Sequence, residues 1–379
     1  MSASLARRVL SRIFVFDPWL LLILLALAAV GLATMHSAVG GTDGRFVEQV
    51  RNFGVAALAL WLAAQTSPRV LQQVAVPAYL IGLVLLLAVE FFGETRQGAT
   101  RWLHLGVVTV QPAELMKIAM PMMLAWYFHR REGMLRLRDF LIAGVLLAVP
   151  FILIVRQPDL GTALLVFAAG FLVIYFAGLS LRLLAPLLLA ALVGIAALIH
   201  YQDRLCDPAL DWVVLHDYQK HRVCTLLDPT TDPLGKGFHT IQSSIAIGSG
   251  GLFGKGYMNG TQSQLDFIPE RTTDFIFAVY AEELGLVGGV FLLLLYFLLL
   301  MRGLAIAWSA PNAFSRLLSA ALTMVFFVYA FVNIGMVVGI LPVVGVPLPL
   351  MSYGGTALLT LGVAAGLLMA IRRHSARRN

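Results

Sequence analysis

Pro269-Glu270-Arg271-Thr272-Thr273-Asp274-Phe275-Ile276-Phe277-Ala278-Val279-Tyr280-Ala281-Glu282-Glu283-Leu284-Gly285 runs from a polar loop into a long apolar segment. From Phe275 to Met301 the chain is long and apolar enough to cross about 30 Å of hydrocarbon. Asp274 opens that segment, and Glu282 and Glu283 follow about two turns deeper. A charged side chain at membrane depth costs at least about 2.5 kcal/mol. These carboxylates are therefore predicted to be paired within the protein or used by it. Glu282 and Glu283 point to different faces of a helix and cannot both look at one site, so one of them is expected to pair inside a bundle.

The rest of the composition agrees with a membrane setting. The chain has 379 residues, 59% hydrophobic and 12% charged, with a mean hydropathy of +0.85, which defines a polytopic membrane protein. A formal charge of +7 and a pI near 9.6 do not indicate nucleic acid, because the basic residues punctuate apolar runs and form no basic, aromatic-rich soluble segment. Arg7, Arg8 and Arg12 precede the apolar run Trp19–Val39, which is too long for a signal h-region and is read as an uncleaved first helix.

Further spanning runs are Val74–Phe92, Phe140–Val155, Leu160–Gly178, Leu181–His200, Phe275–Met301, Leu317–Leu341 and Gly354–Ile371. Phe53–Ala64 is short, and Pro112–Phe128 carries Glu114 and Lys117; with both, the expectation is an all-α protein of about ten transmembrane helices. Placing the N-terminus in the cytoplasm puts fifteen arginines in cytoplasmic segments and five (Arg45, Arg51, Arg96, Arg101 and Arg156) in short outer loops. That bias predicts both termini inside. It also places residues 201–273 outside, as one large extracytoplasmic loop between helices 7 and 8 within a single membrane domain spanning 1–379. The loop is rich in turn chemistry and is expected to lie back over the bundle. Its Cys206 and Cys224 are the only cysteines; a bridge between them would be worth about 3 kcal/mol by loop closure, and two unpaired thiols are the alternative.

Several polar motifs mark outer helix ends. In Gln111-Pro112-Ala113-Glu114-Leu115-Met116-Lys117, Glu114 and Lys117 share a helix face. They form either a structural pair or a cation presented to an anionic substrate. Asp159 in Gln157-Pro158-Asp159-Leu160-Gly161-Thr162 either caps the next helix or joins a polar site. Asp274 has the same two readings, and its place beside apolar bulk suits a carboxylate with a tuned proton affinity. Ser352 and Tyr353 sit in a Gly- and Pro-rich break before the last helix. Gly254-Lys255 lacks the flanking residues of a P-loop, leaving a glycine-rich loop that packs on helices or a lipid headgroup.

Taken in order, Trp102, Gln111-Pro112-Ala113-Glu114 with Lys117, Gln157–Thr162, Asp228-Pro229, Asp232-Pro233-Leu234-Gly235, Gly237–Ser243, Gly260-Thr261-Gln262-Ser263, Pro269–Phe275 and Pro349–Gly355 resemble the SEDS family of shape, elongation, division and sporulation proteins. The resemblance covers nearly the whole chain. Asp217-Tyr218-Gln219, Phe238-His239-Thr240-Ile241-Gln242 and Gly260–Leu265 are similar to the elongation branch rather than the division branch. The segment His200–Val213, with Cys206, is longer than the family pattern, so the disulfide has no support from the resemblance.

The resemblance implies a peptidoglycan glycosyltransferase that polymerises lipid II into β-1,4 glycan on the outer face of the bacterial cytoplasmic (inner) membrane during elongation. Asp274 would be the general base. Arg101, Trp102, Glu114, Lys117, Asp159, Gln242, Glu270, Arg271 and Ser352 would line the substrate site, with Arg101, Lys117 and Arg271 facing pyrophosphate. A divalent cation, Mg or Mn, could share that task, although no metal-ligand cluster is visible. The implied partner is a class B penicillin-binding protein carrying a transpeptidase domain. A transporter that flips the lipid-linked precursor is the alternative.

Overall fold

The computed structural model of the chain describes residues 16–376 apart from 97–98, 107, 134, 208–216, 229–234, 266 and 269. Local chemistry sets the helix starts. Asp17 accepts the Leu20 N–H at 2.9 Å and Pro18 occupies the first turn of α1 (Pro18–Ala38). Asp43 precedes α2 (Gly44–Ala64), and Ser67 caps α3 (Pro68–Phe92). Three short strands follow, β1 (Glu94–Arg96), β2 (Ala99–Leu105) and β3 (Val108–Val110). Then come α4 (Pro112–Arg130), α5 (Leu137–Arg156), α6 (Leu160–Phe176) and α7 (Leu181–His200). Between α7 and the next long helix lie α8 (Gln202–Leu205), α9 (Asp217–Leu227), α10 (Lys236–Gly250) and α11 (Thr261–Gln264). The chain closes with α12 (Ile276–Trp308), α13 (Ala313–Val337) and α14 (Gly355–Ala376).

Seven of these helices (α1, α3, α5, α7, α12, α13 and α14) are long and apolar enough to cross a membrane. The protein is a multi-pass membrane protein. Its most buried spans are α13 and α14, and α13 touches α4, α6, α10, α12 and α14, so it forms the axis of the bundle.

Two features depart from the all-α expectation and its boundaries. The segment before α4 folds as an antiparallel sheet in the order β1-β2-β3, with Thr95 opposite Thr100 and Leu103 opposite Val110. Thr95, Thr100, Thr109 and Val110 favour strand, and Gly106, at φ +72°, makes the β2–β3 turn. Similarly, α2 begins at Gly44 rather than Phe53, which brings Arg45 and Arg51 into the helix. Its first turns are polar, with Glu48 and Arg51 paired at 3.9 Å, so apolar length alone missed them.

Most of the described residues between α7 and α12 are helical. Its α10 lies against α12 and α13, where the Ser243 hydroxyl donates to the Val337 carbonyl at 2.8 Å. Cys206 and Cys224 are joined by a disulfide with Cα atoms 5.6 Å apart, tying the segment after α8 to α9.

A break in α12 anchors the glycine-rich loop after α10. Gly285 has φ +63° and ψ −160°, a conformation essentially restricted to glycine. Around it, the Lys255 and Gly256 N–H groups donate to the carbonyls of Glu282 and Glu283, and the Leu286 and Val287 N–H groups donate to Gly251 and Leu252. The loop thus takes up the main-chain groups that the helix gives up. A Cβ on Gly285 would lie 2.4 Å from the Gly254 nitrogen. Gly285→Ala is therefore expected to cost about 3 kcal/mol or more, read as a lowered apparent Tm of the detergent-purified protein; an unchanged Tm would show that the break is not required.

Ion pairs close the opposite end of the bundle. Asp17 is held by Arg302, with Arg372 at 3.8 Å, and Asp139 is held by Arg131 at 2.9 Å. Arg7, Arg8, Arg12, Arg377 and Arg378, part of the charge bias read from sequence, lie outside the described residues, as do Pro229, Asp232, Pro233, Leu234 and Pro269 of the family motifs.

Candidate active site

Asp274 sits half-buried just before α12, where Phe275 occupies the cap position without a side-chain capping bond of its own. The backbone around Asp274 is pinned to the loop between α13 and α14. Ser352 Oγ donates to the Thr273 carbonyl at 2.6 Å and accepts the Leu348 N–H at 2.7 Å, while the Tyr353 N–H donates to the Thr272 carbonyl at 2.8 Å. From α13, Asn333 Nδ2 donates to the carbonyls of Asp274 (2.9 Å) and Val346 (2.7 Å). Gly345, at φ +74°, lies beside the carboxylate: a Cβ there would be 3.5 Å from Asp274 Oδ2, an ordinary contact distance. Ser352, Tyr353 and Asn333 thus pin the backbone that carries the Asp274 carboxylate.

The same loop joins this group to the start of α6. A Cβ on Gly161 would lie 2.6 Å from the Val344 carbonyl, so α6 begins directly against residues 344–346. Asp159 does cap α6, accepting the Thr162 N–H at 3.2 Å. Its other oxygen accepts from Gln111 Nε2 at 2.9 Å, and Arg101 approaches it at 3.7 Å while donating to the Pro158 carbonyl at 3.0 Å. Arg101 lies in β2, so the small sheet serves to bring a cation over this helix start.

Lys117 is 3% exposed and reaches both Glu114 and the Tyr329 hydroxyl at 2.6 Å. Glu114 in turn accepts from Thr360 at 2.9 Å. Tyr329 and Asn333 are one turn apart on α13, so a single helix face links the Lys117–Glu114 pair to the Asp274 backbone. This pair is a buried, fully bonded element of the bundle and also lies along the edge of the polar site.

Arg271 is half-buried and donates to the Ser263 carbonyl at 2.8 Å. Burial, with Arg45 nearby, draws its pKa below the usual guanidinium value. Arg45, Asp43, Glu270 and Arg271 line a polar recess of about 510 Å³ beside Thr272. Glu270 is exposed, at φ +50°, and accepts from the Thr273 hydroxyl at 2.9 Å. Trp102 is half-buried beside Arg101 in β2. Gln242, half-buried on α10, makes no side-chain hydrogen bond among the described residues; one turn earlier on the same helix, the His239 ring packs against Phe275 with centroids 5.6 Å apart.

The other two carboxylates of the opening stretch are both engaged away from Asp274. Glu282 accepts from Lys255 Nζ (2.7 Å) and from the N–H groups of Gln262 (2.9 Å) and Ser263 (3.2 Å), capping α11. Glu283 accepts from the Ser37 hydroxyl of α1. Both residues are thus engaged, because adjacent positions on the helix before Gly285 face different neighbours.

Sequence reading missed Arg45, Tyr329, Asn333 and Thr360. The signal for Asn333 was present: an amide inside an apolar helix is costly unless bonded. Asn333 is fully buried, and Asn333→Leu would leave two carbonyls without their donor at about 1–3 kcal/mol each. The expected result is a clear fall in apparent Tm; a variant as stable as the wild type would mean that Asn333 does not hold the loop.

A bundle of apolar helices with carboxylates, an amide and arginines gathered at one end defines a membrane-embedded protein with a polar site at its surface. The family model FTSW_RODA_SPOVE, described as a cell cycle protein, matches residues 12–377, and the chain belongs to this family. It is 50% identical over 358 residues to the peptidoglycan glycosyltransferase MrdB of Escherichia coli K12, covering 94% of each chain. A chain of a solved peptidoglycan synthase complex, described as coordinating polymerization and crosslinking, is 36% identical with a TM-score of 0.77, over 95% of this chain and 98% of that one. The rod shape determining protein RodA of Thermus thermophilus is 30% identical with a TM-score of 0.68, over 96% and 98%.

Proposed function

We propose that this protein is a peptidoglycan glycosyltransferase that polymerises lipid II into β-1,4 glycan at the outer face of the bacterial inner membrane, during cell elongation. The observation that carries the reading is Asp274 on a pinned backbone, set at a helix start where α6, α12 and the loop before α14 meet, with Arg271 three residues earlier in the chain. The relatives named as peptidoglycan glycosyltransferases supply the reaction class. The arginine bias supports cytoplasmic termini and an extracytoplasmic Asp274 end, and all ten long helices would then cross the membrane.

In this reading the acceptor sugar 4-hydroxyl attacks the anomeric carbon of the lipid-linked donor, and Asp274 takes the hydroxyl proton. The bond from that carbon to the pyrophosphate oxygen breaks, and the lipid pyrophosphate leaves with the bonding pair. An α-linked donor gives a β product, so the reaction inverts and needs one base. In this reading Arg271 and Arg101 would bind the leaving pyrophosphate, with Lys117 adding positive charge. Trp102, Glu270 and Gln242 would contact the sugars or stem peptide. Among the described residues no three His, Cys, Asp or Glu side chains gather as a metal site. A divalent cation, if used, would come with the pyrophosphate and neutralise its charge. A class B penicillin-binding protein is the proposed partner, supported by the synthase complex that one relative forms.

The test is gel analysis of glycan made from labelled lipid II by the purified protein, with the partner's transpeptidase blocked. Polymer from the wild type supports the assignment. No polymer, with labelled lipid crossing vesicle membranes instead, would overturn it in favour of a flippase.

A further inference from the structure

At the end of the bundle opposite Asp274, the first turns of α3 and the last turn of α4 enclose a recess of about 550 Å³. Arg69 enters it from α3 and Arg130 from α4. The other arginines of this end that bind carboxylates are spent: Arg131 on Asp139, Arg302 and Arg372 on Asp17. Arg69 and Arg130 have no carboxylate partner among the described residues. Arg130 is also held in place, its guanidinium 4.9 Å from the centroid of the Trp126 ring. Glu132 lies outside the lining and faces His129, a lining residue, at 3.4 Å.

We propose that this recess binds the headgroup of an anionic glycerophospholipid, its phosphodiester held between Arg69 and Arg130. Three features favour a lipid over a free phosphate. The side chains of Gln72 and Gln73 line the recess and can bond headgroup hydroxyls. The Gln73 carbonyl lacks its helical donor because Pro77 has no N–H, which leaves another acceptor at the same place. Above Val76, the same face of α3 continues as the exposed apolar stripe Leu80, Val84, Leu87 and Phe91, a track for an acyl chain. Basic pockets between transmembrane helices are suited to such headgroups. The recess lies at a membrane interface whichever leaflet it faces, so the inference stands apart from the proposed glycosyl transfer.

Native mass spectrometry of the full-length protein, offered dioleoyl phosphatidylglycerol or dioleoyl phosphatidylethanolamine, tests it. Phosphatidylglycerol is expected to be retained about thirtyfold more strongly, from about two arginine contacts at the membrane surface. That preference should vanish in the Arg69→Ala/Arg130→Ala double variant. Should the double variant fail to fold, Gln73→Glu, which puts a carboxylate into the recess, should abolish the preference on its own. Equal retention of the two lipids by the wild type, or an undiminished preference in a folded variant, overturns the proposal. Displacement of phosphatidylglycerol by millimolar inorganic phosphate would also overturn it, in favour of a free-phosphate site.

Discussion

Asp274→Asn is expected to lower glycan polymerisation from purified lipid II by at least about a hundredfold, within the range that a general base supplies. The substitution keeps the size and leaves the backbone bonds from Asn333 and Ser352 in place, because those bonds reach the carbonyls of residues 273 and 274 rather than the carboxylate. The folded state should therefore survive, with apparent Tm close to that of the wild type. A folded Asp274→Asn protein that polymerised at full rate would remove Asp274 as the base.

The second large effect is expected at Lys117. Lys117→Met would leave Glu114 partly buried with Thr360 as its remaining donor, and Tyr329 would lose its own contact. Removing one partner of a buried pair costs about 3–5 kcal/mol. The double variant Lys117→Met/Glu114→Gln takes away both charges and should recover most of that stability, since the cost comes from the orphaned charge. Measuring Tm and polymerisation together separates the two readings of this pair. If the double variant regains stability and remains inactive, Lys117 contributes positive charge to the reaction. If it regains both, the pair is structural only.

The legible part of the fold was set by one simple signal, apolar length. It found the segments of α1, α3, α5, α7, α12, α13 and α14, because membrane burial imposes continuous apolar composition. Length could not find the first turns of α2, where Glu48 and Arg51 make the helix polar, nor the strands between Glu94 and Val110. For the candidate site, Asp159, Asp274, Lys117 and Ser352 announced themselves as polar residues at helix ends. Their mutual placement was not legible, since it depends on the loop of residues 344–354 threading between α6 and α12. Tyr329 was hidden because a tyrosine in an apolar helix reads as core until its hydroxyl partner is known.

The break at Gly285 also fixes depth. An unbroken α12 of 33 residues would rise about 50 Å, well beyond about 30 Å of hydrocarbon. From Leu286 to Trp308 the rise is about 35 Å, which fits the slab with a modest tilt. Glu282 and Glu283 then stand at its rim, level with lipid headgroups. The glycine would then draw the waterline of the molecule, with the chemistry proposed at Asp274 on its wet side.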